Sequence, residues 1–548
     1  MRRLLITLLV LLASVLMLLG CGEPTTTPTA SPSPSPTTTP TATPTTSPTP
    51  TTSPTPTTSP TPSEEYKYGG TLRVMLIAGP QTPGGWPVDV FGPDATSYQF
   101  CLEPLLRSDD EGGVYPWLAE SFEVADNLTS VTFKLREDVK FHDGTPFNAA
   151  AAKWNLDNHI SAMSSYAQYW ASVEILDDYT IKVNLKMWTN TALNSFADSA
   201  GTWMVSPTAF EANGVDWMRN NPVGTGPFKF ESFQRDVEYK VVRNPDYWMP
   251  GKPYLDAIKI MYVADTLTQK AAMQAGEADM LELEPSKMAK DLEAGGSIVN
   301  FKIITVYSFL PDSAHPDSPY AIQEVREAIE YAIDRESLAN GFSFGYWQAP
   351  YQLVPPSNAA YNTAFAYTRT YNVETAKQLL EDAGYGEGFD TTILVNPAII
   401  DRNIAVALQS NLEEIGIHAT LSFPANMGGF IMDSNSLNNV LVIQPIMSSA
   451  NFNGTFMFFL GKDFMWNKNF LPPPEFLAAR LASLTSPAMD LGLIRAACDE
   501  LSKVAAAIPL MQAGLGWAMQ PTVMGGGFFE RGSGSLFAAE EVWIQEQS

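Results

Sequence analysis

The chain opens on an apolar run, Leu4–Leu19, broken only by Thr7 and Ser14 and preceded by Arg2 and Arg3. A basic start before an apolar run this short reads as a secretion signal, because a spanning helix needs about 20 residues. A second pattern follows: from Pro24 to Ser63, 38 of 40 residues are Thr, Pro or Ser. Such a tract has no apolar face to bury, and its prolines extend it toward polyproline II. Beyond Tyr66 the spacing becomes that of a folded body. Thr71–Ile77 predicts a strand stopped by Gly79-Pro80, and Val131, Phe133 and Leu135 alternate with polar residues as a second. Val173–Leu176 and Tyr179–Leu185, joined by Asp177-Asp178, predict a hairpin. Ile322, Val325, Ile329 and Ile333 share one helical face and predict a single helix between Pro319 and Gly341. Asn372 is placed to cap a second helix, closed by Gly384. A third, from about Arg402, is closed by Gly416 and leads directly into a strand, His418–Phe423. The body is therefore mixed α/β, and no second apolar run in it reaches membrane-spanning length.

Composition narrows the function. The 548 residues suit two or three domains, and the net charge is −26. Without residues 1–65 the chain keeps 31 basic and 56 acidic side chains, so the acidity belongs to the body. A body this negative is repelled by phosphate backbones, which argues against nucleic acid as a partner. Three cysteines cannot build a disulfide framework, and Cys101 and Cys498 are expected as buried free thiols. The four histidines, His142, His159, His315 and His418, show no metal-ligand spacing. Gly341-Phe342-Ser343-Phe344-Gly345 matches the G-x-S-x-G pattern of a nucleophile elbow. That elbow must follow a strand and lead into a helix, whereas a predicted helix precedes this one, so the match is read as incidental. No carboxylate pair stands out for glycoside hydrolysis. Neither a catalytic set nor a cofactor nor a metal is expected.

Leu18-Leu19-Gly20-Cys21 resembles the lipobox of bacterial lipoproteins. The resemblance implies a signal peptide at 1–20, lipidation of Cys21, and a disordered stalk over 21–65. The body would then be held at the extracytoplasmic face of the cell membrane by its lipid anchor alone. Leu118–Pro146 (LAESFEVADNLTSVTFKLREDVKFHDGTP) resembles the signature of family 5 extracytoplasmic solute-binding proteins. These are the dipeptide- and oligopeptide-binding components of ABC importers. Asn221–Phe230 (NPVGTGPFKF), Tyr247-Trp248 with Pro253–Asp256, Ala275–Met280 (AGEADM) and Val325–Glu336 (VREAIEYAIDRE) continue the likeness in order.

The resemblance implies a bilobed α/β fold of the type II periplasmic-binding-protein kind, with a hinge and an extra subdomain. Lobe I would use about 66–96, 222–304 and 508–548, the subdomain about 97–221, and lobe II about 305–507. It also implies a monomeric receptor that binds a small organic solute in the interlobe cleft and delivers it unchanged to ABC permease subunits. A surface sensor or adhesin without transport, and a surface hydrolase, stay open as alternatives. Gly224, Gly226 and Pro227 read as a tight crossing between lobes. His142 belongs to the HDG turn and reads as structural.

Peptide-binding members resemble one another in a G-D-Y-x-D-P-like stretch of lobe II, where an aspartate pairs with the peptide ammonium. The corresponding stretch here, Gln444–Phe456 (QPIMSSANFNGTF), has no carboxylate. A buried ammonium without a countercharge costs several kcal/mol, which argues against peptides with free N-termini. Ser448, Ser449, Asn451, Asn453 and Thr455 beside Phe452 and Phe456 suit a neutral polar solute such as an oligosaccharide. Trp86, Trp203 and Trp347, all in predicted loops, are candidates to stack on it, although tryptophans more often fill cores. The candidate ligand set is thus Trp86, Trp203, Trp347, Ser448, Asn451, Phe452 and Asn453.

Overall fold

Side-chain alternation along the strands builds two main sheets. A computed structural model describes residues 66–89, 99–109, 111–164, 167–197, 202–366, 368–397, 399–460, 467–526 and 538–545. The expected signal peptide, Cys21 and stalk lie outside the described residues.

The larger sheet has ten strands. Its spatial order is Ile417–Ser422, Phe389–Leu394, Val440–Met447, Ile298–Pro311, Ile508–Met519, Met280–Leu283, Thr71–Leu76, Ala257–Tyr262, Glu238–Arg243 and Phe228–Gln234. The two longest strands, Ile298–Pro311 and Ile508–Met519, run antiparallel at its centre. Each serves both halves. Ile508–Met519 pairs with Met280–Leu283 through its end, and Ile298–Pro311 pairs with Val440–Met447 through its own end. Their register shifts between Ile303 and Thr305, where the partner passes from Gly514 to Ala513. Gly514 is required there, because a Cβ would lie 2.1 Å from the Lys302 carbonyl oxygen.

Each half has its own apolar core. Leu72, Val74, Phe228, Tyr239, Ile258 and Trp517 pack together on one side. Phe309, Tyr320, Ile329, Leu380, Ile393, Leu408 and Ile443 pack together on the other. Separate cores on either side of two shared strands make two lobes. A four-stranded antiparallel sheet, in the order Ala119–Val124, Ser130–Leu135, Thr180–Leu185 and Trp170–Asp177, closes a third core around Phe133, Phe147, Trp170 and Phe196. The expected subdomain range, 97–221, contains this sheet. No helix among the described residues is long and apolar enough to cross a membrane.

Local signals read from the sequence recur in the structure. Asn372 caps Val373–Asp382 by accepting the Thr375 N–H, and the expected hairpin is the pair Trp170–Asp177 and Thr180–Leu185. One expectation is corrected. The single helix expected up to Gly341 is two, Gln323–Ala332 and Arg335–Ser343. Asp334 breaks it by leaving the helix and accepting the Ser337 N–H as the cap of the second. Ile333 kept the apolar spacing while its backbone turned extended.

The family-like motifs turn out to be joints. Glu103 is fully buried and accepts hydrogen bonds from Trp117 Nε1 (2.8 Å), Thr225 Oγ1 (2.8 Å), Tyr247 Oη (2.7 Å) and Trp248 Nε1 (3.1 Å). The Arg107 guanidinium lies over the Trp117 ring and pairs with buried Glu540. Asp279 of the AGEADM segment accepts Arg73 Nη2 at 2.6 Å and Nε at 2.9 Å. In the second lobe, Arg369 pairs with Glu330 at 2.7 Å and Arg335 donates to the Pro509 carbonyl.

Gly224 and Gly226 do not cross between lobes as expected. They lie against Phe100–Leu102, where a Cβ on Gly226 would meet the Phe100 and Cys101 carbonyls at 2.7–2.8 Å. The lobe crossing belongs to the two long strands instead.

Candidate functional site

Strand ends from both lobes meet at the crossing. The parallel strands Thr71–Leu76 and Met280–Leu283 deliver Ile77 and Glu284, both exposed, from the first lobe. From the second, Val440–Met447 delivers Ser448, whose N–H bonds the Ile304 carbonyl at 2.7 Å. Tyr307 stands on the long strand between them and donates its hydroxyl to the Ile399 carbonyl at 3.1 Å.

This junction is acidic. Glu282 and Glu284 sit one alternation apart at the end of their strand, and neither carboxylate has a hydrogen-bond or ion-pair partner among the described residues. Burial, and then the neighbouring Glu284, hold the Glu282 carboxyl above its ordinary range. Burial, with Glu284 again nearby, pushes the Tyr307 phenol up to about 12. A cation placed here would relieve both effects. The sequence reading passed over these residues, although acidic side chains alternating with buried leucines in Leu281–Glu284 were a legible signal.

A cavity of about 160 Å³ lies beside the strand Ile508–Met519, lined by Gln348, Tyr351, Gln352, Tyr361, Asn362 and Gln512 among others. Solute pockets run roughly 300–1,000 Å³, so this cavity is too small to enclose one.

The structure places most of the predicted ligand residues inside the protein. Trp86 is buried against Trp154 and Phe210, with ring centroids 5.8 and 4.7 Å away. Trp203 is buried in the same core. Trp347 is half-buried against the second lobe's core. Phe452 is fully buried and packs edge-on to Phe456 at 5.3 Å. Ser448 is buried and its hydroxyl accepts Asn358 Nδ2 at 3.0 Å. Asn451 caps the helix Phe452–Phe459, and its Nδ2 donates to the Asn190 carbonyl at 3.3 Å. Asn453 donates to Asn190 Oδ1 at 3.1 Å and accepts from Ser483 Oγ at 2.9 Å. The side chains of Ser448, Asn451, Asn453 and Thr455 are thus engaged within the protein, whereas the buried Gln444 Oε1 has no hydrogen-bond partner among the described residues. Cys21 lies outside the described residues.

Ser343 ends a helix, and its hydroxyl accepts the Gly345 and Trp347 N–H groups at 3.3 and 3.2 Å, which closes the turn. Cys101 and Cys498 are buried and free, and burial raises the Cys101 thiol to about 12. His142 Nε2 donates to the Gly226 carbonyl at 3.0 Å, because a carbonyl only accepts. Burial pushes the imidazoles of His142 and His159 down to about 4, so both are neutral. His315 lies 2.7 Å from Asp312, and exposed His418 lies 2.9 Å from Glu413.

Comparison with known proteins agrees with the fold. Residues 113–485 match the bacterial extracellular solute-binding proteins, family 5 middle region. The glutathione-binding protein GsiB of Shigella flexneri is 35% identical over 325 residues, covering 58% of this chain and 62% of that protein. GsiB of Escherichia coli strain K12 gives the same values. The chain therefore spans about 62% of the length of these curated relatives. HbpA2 from Haemophilus parasuis superposes with a TM-score of 0.76 at 20% identity, over 87% of this chain and 100% of that one. DppA from Helicobacter pylori, in complex with the peptide STSA, gives 0.71 at 21% identity over 88% and 99%. Likeness at this identity shows the fold.

Proposed function

From the premise that this chain belongs to family 5 of the bacterial extracellular solute-binding proteins, we propose that it is an extracytoplasmic receptor. It closes two lobes around one small solute and delivers that solute, unchanged, to an ABC importer. The observation that carries this reading is the crossing. Two lobes with separate cores share two long strands, whose register shifts between Ile303 and Thr305. Rotation about that point moves the lobes as bodies, and a solute touching both shifts the open–closed equilibrium. In this reading lobe I is about 66–96, 222–304 and 508–548, the subdomain 97–221 and lobe II 305–507. The lipobox-like Leu18–Cys21 and the Thr/Pro/Ser tract support a lipid anchor at Cys21 and a stalk.

The solute class follows from charge. Gln444–Phe456 lacks a carboxylate, but Glu282 and Glu284 offer two at the crossing without partners among the described residues. Their placement suits an ammonium-bearing, peptide-like solute better than a neutral oligosaccharide. The glutathione-binding relatives support the same class. Titration calorimetry with glutathione, free dipeptides, their N-acetylated forms and oligosaccharides tests it. The expected result is binding of a free amine, weakened at least tenfold by acetylation and by Glu284→Gln. Heat from oligosaccharides alone would overturn the solute class. No heat from any of them would count against the receptor.

A further inference from the structure

We infer that the loop Trp188–Thr191 of the four-stranded subdomain is a latch that holds the second lobe in the closed arrangement. The inference rests on the receptor reading above. The subdomain that carries the loop is fixed to the first lobe. Trp154 from its helix Ala149–Ser161 packs with Trp86 and Phe210, and Glu103 binds Thr225, Tyr247 and Trp248. The loop itself reaches the other way.

The Asn190 N–H donates to the Leu484 carbonyl at 2.9 Å, and its Nδ2 donates to the Ser483 carbonyl. Asn190 Oδ1 accepts Asn453 Nδ2 at 3.1 Å and Asn451 Nδ2 at 3.4 Å. Its backbone carbonyl accepts Asn451 Nδ2 as well. Every polar atom of Asn190 therefore bonds a residue more than 250 positions away in the second lobe. Trp188 Nε1 adds a bond to the Ser486 carbonyl at 3.1 Å. The loop is wedged between the start of the helix Phe452–Phe459 and the end of the helix Pro474–Thr485.

Rotation of the lobes about the two long strands has to break these bonds. All of them are neutral. Each contributes little net, because water takes the place of the lost partner. A handful of such bonds is strong enough to bias closure and weak enough to release.

Hydrogen exchange on the full chain, without added solute, tests the latch. In the wild type the Asn190 amide should exchange at least tenfold faster than the amides of Ser130–Leu135 and Thr180–Leu185 in the same subdomain. Asn190→Ala should accelerate exchange at positions 190, 451 and 453 about tenfold further and leave those strands unchanged. Ser483→Ala, which removes one hydroxyl behind the network, should do the same at smaller amplitude. Equal protection of Asn190 and the strands in all three proteins would overturn the inference, because the contact would then be permanent. Acceleration shared by the strands would overturn it too, as a purely structural effect. The measurement uses no solute, so its failure is separate from a failure of the receptor reading.

Discussion

Two polar clusters tie the four-stranded subdomain to its surroundings, and they are built differently. Toward the first lobe it is joined by a charge: buried Glu103 under two indoles, a phenol and a hydroxyl, with Arg107 and Glu540 beside it. Toward the second lobe it is joined by neutral amides around Asn190. A buried carboxylate is tolerable only with all its donors in place, because a bare charge in the interior is severely penalised. Burial already holds the Glu103 carboxyl above its ordinary range despite Arg107 and those donors. Neutral amides lose little when water replaces them. The first joint is therefore a weld and the second is separable.

The weld is the joint whose loss costs most. Glu103→Ala strands four donors and leaves the Arg107–Glu540 pair without its neighbour. It should cost about 3–5 kcal/mol in urea unfolding, the range for one-sided removal of a buried charge. A loss below about 1 kcal/mol would mean that the weld carries no load.

Acid weakens the same joint. His142 bonds the Gly226 carbonyl inside the same joint, and His159 is buried in the subdomain helix. Both are neutral in the fold with values near 4, against 6.5 in the unfolded chain. The unfolded chain binds more protons between those values, so stability rises with pH there. Their contribution is complete above about pH 6.5 and is lost as pH falls through 4. Each is worth on the order of 3 kcal/mol. Unfolding free energies from pH 7 to 4 should fall less steeply for His142→Gln than for the wild type. Parallel curves would show that His142 is not held neutral by the joint.

The smallest stability effect belongs to the latch. Asn190→Ala should cost only about 1–2 kcal/mol in urea, while exchange at the lobe contact changes tenfold. A loss as large as that from Glu103→Ala would erase the distinction between the two joints.

Much of the fold was legible because its signals are local. Caps such as Asn372 and alternations such as Val131, Phe133 and Leu135 act within a few residues. The helix break at Asp334 escaped because Ile333 kept the apolar spacing while the backbone changed direction. Gly224 and Gly226 announced a close approach, but the segment approached, Phe100–Leu102, lies more than a hundred residues away. The weld was invisible for the same reason: Glu103 meets partners 14, 122, 144 and 145 positions distant. At the site, sequence reported that Ser448, Asn451 and Asn453 are polar. It could not report that Asn358 and Asn190 already use them. The bland reading of Trp86 and Trp203, burial in a core, is where the structure puts them. The alternation of Glu282 and Glu284 with buried leucines is local, but their place beside Tyr307 is set by distant strands and is not written in that alternation.

A receptor whose crossing closes over one solute and returns it unchanged must carry that solute intact. Native mass spectrometry of the freshly purified full chain tests this most directly. A single small adduct at one copy per chain is expected. Mild unfolding should release it, and it should carry a free amine and have the same mass before and after a long incubation with the protein. An adduct that is consumed on incubation, or a chain that carries none and takes up none of the peptides offered, would contradict it.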